Sequence, residues 1–231
     1  MKIGGFQEFS LIDYPGKLAA VVFTQGCNFR CPFCYNSELA IPRLYQDCVP
    51  ERWVFEFLTE RKQYLQGVVV SGGEPTLQKN LLPFLAKIKK LGYCVKLDTN
   101  GSSPQVLKNV IAEQLVDFFA MDVKAPWKKY STLAGKDVNL ADIKESVDII
   151  ANSGLPHIFR TTCVKKYLNC SDFSDIWQMV DKSPNYVMQP FVNTEKVMDK
   201  ALLHEDQYLD EEIRAFYLSL GIKLGVFKQH V

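Results

Sequence analysis

What most restricts the fold of this chain is a repeated alternation of short apolar runs with longer amphipathic ones. Apolar runs fall at residues 18–24, 67–71, 93–98, 116–123, 157–164 and 185–191. Residues 50–66, 78–91, 104–113, 140–153, 171–181 and 210–220 instead carry apolar side chains at helical spacing. Strand-sized runs separated by helix-sized segments are the signature of repeated βα units. Gly92, Gly154 and Gly221 stand where helices should end, and Ser102–Ser103 before Pro104 suits a helix start. The pattern predicts an α/β fold in which a parallel sheet curls into a partial (βα)6 barrel, a single domain over residues 1–231. A flat doubly wound sheet shares this periodicity and remains open at this point. Residues 222–227 are a candidate for one more strand.

Composition narrows the function classes. With 27 basic against 26 acidic residues and no long run of one sign, the charge gives no reason to expect nucleic acid or an anionic membrane as partner. No stretch approaches the roughly 18 apolar residues of a membrane-spanning helix. The first residues, MKIGGFQEFSLIDYPGK, are interrupted by Glu8 and Asp13, which argues against a secretory signal and for a cytoplasmic protein. Three of the 7 cysteines crowd into GCNFRCPFCYN, and in a chain without an export signal such crowding reads as metal or redox chemistry.

Cys27, Cys31 and Cys34 are separated by three and then two residues. Thiolates are the usual ligands of iron–sulfur clusters, and short spacings let one loop wrap one cluster. A four-iron cluster has four corners, so three sulfurs leave one iron open to bind a reactant. A structural zinc would want a second ligand pair beside the Cys31–Cys34 knuckle, and none follows. A thioredoxin-type pair would leave Cys27 without a role. Cys48, Cys94, Cys163 and Cys170 are scattered singly and read as small buried apolar residues; His157, His204 and His230 show no ligand spacing.

Polar residues recur where apolar runs end: Thr24, Ser71, Asp98, Asp122, Thr161–Thr162 and Gln189. In βα barrels those carboxyl ends build the active site. SGGEP at 71–75 and DTNG at 98–101 are plain turns in isolation. Asp122 and Lys124, two apart on a strand, share a face, as do Arg160 and Thr162. If that face is inward, the first two form a costly buried pair unless they serve a ligand; if outward, they are ordinary surface charges.

The C-x3-C-x2-C spacing, with Phe33 before the last cysteine, resembles the signature of the radical S-adenosylmethionine (SAM) enzymes. FSLIDYPGK followed by VVFTQGCNFRCPFCYN is similar to the activating enzymes of glycyl-radical enzymes. The likeness runs from Phe9 to about Phe191, first to the activases of anaerobic ribonucleoside-triphosphate reductase and next to those of pyruvate formate-lyase. The resemblance implies an oxidoreductase with a [4Fe–4S] cluster on Cys27, Cys31 and Cys34 and SAM as second cofactor. It implies that Phe33 and the GGE motif, Gly72, Gly73 and Glu74, hold SAM, the latter at its amino group. Asp98 and Asn100 of DTNG would lie beside it, in some members with a monovalent cation. Asp122 and Lys124 would reach its ribose and carboxylate, with Arg160 nearby. The formate-lyase activase has a His where this chain has Val192, so its ribose contact passes to Gln189 or Asn193 or is lost. Many activases also have His where this chain has Tyr35.

The implied partners are a glycyl-radical enzyme, anaerobic ribonucleotide reductase first, and flavodoxin or ferredoxin as electron donor. The rival enzyme class is a small radical SAM enzyme acting on a free metabolite, like the synthase that contracts a pterin to a deazaguanine. An iron–sulfur electron carrier would want a fourth protein ligand and ranks last.

Overall fold

The six apolar runs become strands β2–β7, and a further strand precedes them: β1 (Ile3–Ser10), β2 (Ala19–Thr24), β3 (Gly67–Gly72), β4 (Cys94–Thr99), β5 (Phe118–Asp122), β6 (His157–Cys163) and β7 (Tyr186–Pro190). The architecture is that of a computed structural model, which describes residues 1–222. The strands form one sheet in sequence order, β1 antiparallel to β2 and every later pair parallel. A doubly wound sheet would reverse its strand order partway. This order never reverses, so the partial barrel is the outcome. Among the described residues β1 and β7 are the two edges.

Two helices, α1 (Ser37–Ala40) and α2 (Glu51–Glu60), lie between β2 and β3. Then α3 (Leu81–Lys90) joins β3 to β4, and α4 (Pro104–Ala112) joins β4 to β5. α5 (Tyr130–Ala134) and α6 (Leu140–Ala151) follow β5, α7 (Cys170–Met179) follows β6, and α8 (Asp210–Leu220) follows β7. All six expected strands and six expected helices are present, most with shifted or trimmed ends. α2 stops earliest, because the chain turns at Arg61–Leu65 to enter β3. β1, α1 and α5 were not expected. The run at 222–227 lies outside the described residues except for Ile222. No helix among the described residues is long and apolar enough to cross a membrane.

The sheet has two unlike faces. Ala20, Val22, Val68, Val70, Val95, Leu97, Phe119 and Met121 point outward and are sealed by Val54, Leu58, Phe84, Leu85, Ile88, Leu107, Val110, Ile143 and Ile150 of the helices. Each such buried side chain contributes about 1.5–3 kcal/mol. The inner face is apolar mainly at its lower end, where Ala19, Val21 and Val69 meet Tyr14 from the β1–β2 connection and Ala120, Ile158 and Val187 cluster on β5–β7. The Tyr14 ring packs 5.9 Å from that of Phe118 and plugs the barrel. Above this plug the inward positions turn polar, at the carboxyl ends of the parallel strands.

Candidate active site

β2 delivers the chain through Gln25–Gly26 into the cysteine loop. Gly26 N donates to Leu39 O at 2.7 Å, and Cys34 N to Cys31 O at 3.0 Å. The Arg30 guanidinium donates to the carbonyls of Cys27 and Phe29 at 2.7 and 2.6 Å. The end of α5 supports the loop from below, with Arg30 N on Ala134 O at 2.7 Å. Gly135, at φ +65, caps that helix so close that a Cβ would stand 2.0 Å from Arg30 O. Only glycine allows both the left-handed cap and this approach. Beyond β7, Met198 N and Asp199 N donate to Cys34 O and Pro32 O at 3.1 and 2.8 Å. The loop is thus clamped by its backbone, and all three cysteines line the same cavity.

Burial pushes the Cys27 thiol up to about 11 and Cys31 to about 12, and raises Cys34; Lys124 works against the shift in all three. Phe29 N donates to Cys27 Sγ at 3.3 Å. Without a metal the loop would hold neutral thiols near neutral pH, which a metal must deprotonate on binding.

The loops after β2 and β3 are locked together: Gly73 N donates to Thr24 O at 2.8 Å and Glu74 N to Gly26 O at 2.7 Å. A Cβ on Gly73 would lie 2.1 Å from Gly26 O. Glu74 is buried, and its carboxylate accepts from Thr76 N, Thr76 Oγ1, Thr99 Oγ1 and Asn100 N at 3.1, 2.6, 2.9 and 2.7 Å. Burial raises its pKa despite those bonds. The Glu74 carboxylate ties the β3 loop to the β4 loop. Asn100 Nδ2 in turn donates to Asn28 Oδ1 at 2.9 Å, beside the cysteines.

Across β4, β5 and β6 runs a chain of alternating charges. Lys96 donates to Asp98 Oδ1, and Asp98 Oδ2 accepts from Ser71 Oγ at 3.0 Å and Arg160 at 3.4 Å. Arg160 Nε donates to Asp122 Oδ1 at 2.9 Å, and Lys124 Nζ to Asp122 Oδ2 at 3.1 Å. Lys124 also stands over the Phe33 ring, 6.0 Å from its centroid. Burial opposes the charge of Asp122, but Arg160 and Lys124 outweigh it and hold the carboxyl at about 2. Asp122 and Lys124 therefore face inward, not to the surface.

These elements enclose a cavity of about 360 Å³ lined by Cys27, Cys31, Phe33, Cys34, Gly72, Gly73, Glu74, Asp98, Asn100, Asp122, Lys124, Arg160 and Gln189, whereas Thr24 and Thr161 of the strand ends donate to the carbonyls of Ser71 and Val123. Asp13, Phe23, Tyr35, Thr99 and Thr162 line it too. The sequence carries no local sign of Asp13, and of Tyr35 only that it stands where many activases have His; the sheet and its connections bring both in. Asn193 is turned to the carbonyls of Leu203 and Glu205. The two departures at Tyr35 and Val192 touch each other, with Val192 N donating to Tyr35 Oη at 2.8 Å. The Tyr35 ring stacks on Phe191 at 5.9 Å. Of the scattered cysteines only Cys163 is buried; Cys48 and Cys170 are exposed, because both stand in connections or at a helix start outside the core.

Three thiols on one clamped loop, all lining one cavity, are the donor set that an iron–sulfur cluster takes. A four-iron cluster takes one thiolate per iron and so wants its sulfurs spread around a loop of this kind. The cavity also offers a site for a polar ligand, with aromatic rings on one wall and the charge chain on another.

Known proteins agree. The model of the radical SAM superfamily matches residues 21–178. A Methanocaldococcus jannaschii protein, provisionally named a glycyl-radical enzyme activating enzyme, is 34% identical over 195 residues, 82% of this chain and 79% of its own length. The pyruvate formate-lyase-activating enzyme of Staphylococcus aureus is 35% identical over 103 residues, 41% of this chain and 39% of that one. In three dimensions, the crystal structure of SuiB from Streptococcus suis, bound to its precursor peptide SuiA, superposes on 90% of the chain. Its TM-score is 0.68 at 13% identity, and the chain spans 46% of SuiB, a likeness of fold alone. The chain belongs to the radical SAM superfamily, an enzyme family whose cofactors are a [4Fe–4S] cluster and SAM.

Proposed function

We propose that this enzyme is a glycyl-radical-enzyme activase, a single radical SAM domain that installs a glycyl radical on an anaerobic ribonucleoside-triphosphate reductase in the cytoplasm. The observation that carries the reading is the 34% identity to a protein named as such an activating enzyme, sustained over 82% of the chain. The gap between β1 and β7 among the described residues supports it, because a protein segment needs lateral access to the barrel mouth.

Cys27, Cys31 and Cys34 would hold the cluster, which, reduced by flavodoxin or ferredoxin, supplies the electron that splits SAM into methionine and a 5′-deoxyadenosyl radical. The remaining work falls to the chain itself. The Gly72–Gly73 backbone has no side chain to block the amino-acid end of SAM. Lys124 and Arg160 offer positive charge to its carboxylate. Asp98 and Asp122 fix those cations, and Asp122 keeps an accessible edge for a ribose hydroxyl. Asn100 and Gln189 present amides to the cavity, and Phe33 presents an apolar ring to the adenine. A partner loop filling the mouth would exclude water from the radical.

The test is to reduce the reconstituted enzyme with SAM and anaerobic ribonucleotide reductase and record electron paramagnetic resonance. A glycyl doublet on the reductase, lost when its radical glycine becomes alanine, is the expected result. Turnover of a pterin metabolite with no doublet on any glycyl-radical partner would hand the function to the metabolite-enzyme class.

A further inference from the structure

Lys96 is a charged residue set where an apolar one would do. On β4 it pairs in register with Val69 of β3 and Phe118 of β5, and its side chain is 2% exposed. It is not among the described residues that line the cavity. Among the described residues its ammonium has one hydrogen-bond partner, Asp98 Oδ1. Burying an ammonium is costly, and a pair of this kind is often no more stabilising than a well-packed apolar substitute. Burial, outweighing the attraction of Asp98, also lowers the Lys96 pKa. Stability alone is a poor reason for a lysine here.

The geometry supplies another. Asp98 stands in the cavity wall between two cations. Lys96 holds Oδ1 from below, while Arg160 reaches Oδ2 at 3.4 Å and keeps its closer bond, 2.9 Å, for Asp122. Without Lys96, the nearest cation left to Asp98 is Arg160. Asp98 would then compete with Asp122 for that guanidinium, and Lys124, bonded to Asp122, would feel the change. We propose that Lys96 is a positioning residue for SAM, which by pairing with Asp98 from beneath the cavity floor leaves Arg160 on Asp122 and fixes the charge chain that meets the ligand. This rests on the reading that Asp98 serves SAM.

The test is a double-mutant cycle on SAM binding, measured by isothermal titration of reconstituted enzyme whose iron content is assayed first. Lys96→Met should keep its iron and bind SAM about tenfold more weakly, and Asp98→Asn should also bind more weakly. Because Lys96 acts through Asp98, the double variant should bind no more weakly than Asp98→Asn alone, whereas independent sites would add. The double variant removes the pair whole, so it should fold even where Lys96→Met, with Asp98 left to Arg160 and Ser71, does not. In that event a loss beyond that of Asp98→Asn overturns the proposal, and rescue by methylammonium carries it. In Lys96→Ala, methylammonium at millimolar concentration should restore part of the affinity, which a purely structural lysine would not allow. Wild-type binding by Lys96→Met beside weakened Asp98→Asn overturns the role of Lys96. Wild-type binding by Asp98→Asn overturns the reading of Asp98 itself, and this proposal with it.

Discussion

At the scale of single residues, the chain separates groups that can meet a ligand from groups consumed by the fold. The three loop thiols are neutral until a metal displaces their protons, since burial raises Cys27 and Cys31 to about 11 and 12. Replacing any one of Cys27, Cys31 or Cys34 by Ala should abolish uptake of the roughly four irons expected per chain. Cys163→Ala, in the core between β6 and its helices, should leave iron content unchanged. Iron and sulfide assays after anaerobic reconstitution decide it, and equal loss in all four variants would mean the ligand set is wrong. The cysteines were legible because their spacing is local. The state of Glu74 was not: its GGE motif is readable, but Thr99 and Asn100, which occupy its oxygens, come from the next strand end. Likewise Lys96 left a readable trace, a lysine two places before Asp98 in an apolar strand, but its burial depends on the register of β3 and β5.

Elements follow from periodicity where they are long enough to show it. Six strands and six helices were readable because parallel strands buried on both faces are near-continuous apolar runs and their covering helices are amphipathic. β1 escaped notice. Gly4–Gly5 and the exposed Gln7 and Glu8 break any alternation, and the strand exists because β2 offers an edge to pair with. α1 and α5, of 4 and 5 residues, are too short to display a period. What joins elements at the site is backbone against backbone, most tightly at Gly73. Gly73→Ala places a methyl 2.1 Å from Gly26 O, so one of the two loops must move. The expected variant keeps its secondary structure by circular dichroism but loses most of its iron, although no ligand is changed. Full iron loading would show that the lock between the β2 and β3 loops is dispensable to the cluster.

For the whole molecule, the decisive feature is that the sheet of the described residues curls without closing. The segment after β7 crosses back over the cysteine loop, with Met198 and Asp199 on its carbonyls and Val192 on Tyr35. It fastens the last strand to the loop from the first βα unit and leaves the mouth open at the side. Tyr35→Phe removes the acceptor of Val192 N, a bond contributing about 1 kcal/mol. Hydrogen exchange should then quicken at Val192 while the α3 and α4 amides stay protected. Unchanged exchange at Val192 would show that the crossing segment is held elsewhere. The sequence by itself determined the βα order, the three cysteines on one loop and the turn motifs at strand ends, because each depends on neighbours a few residues apart. Only the tertiary structure decided that Asp122 and Lys124 face inward and that Tyr35 meets Val192. It also decided that Lys96, Asp98, Arg160, Asp122 and Lys124 form one chain of charges. A period of two puts residues on a common face without saying which face is inside, and that is set when strands far apart in sequence take their register and the sheet curls around them.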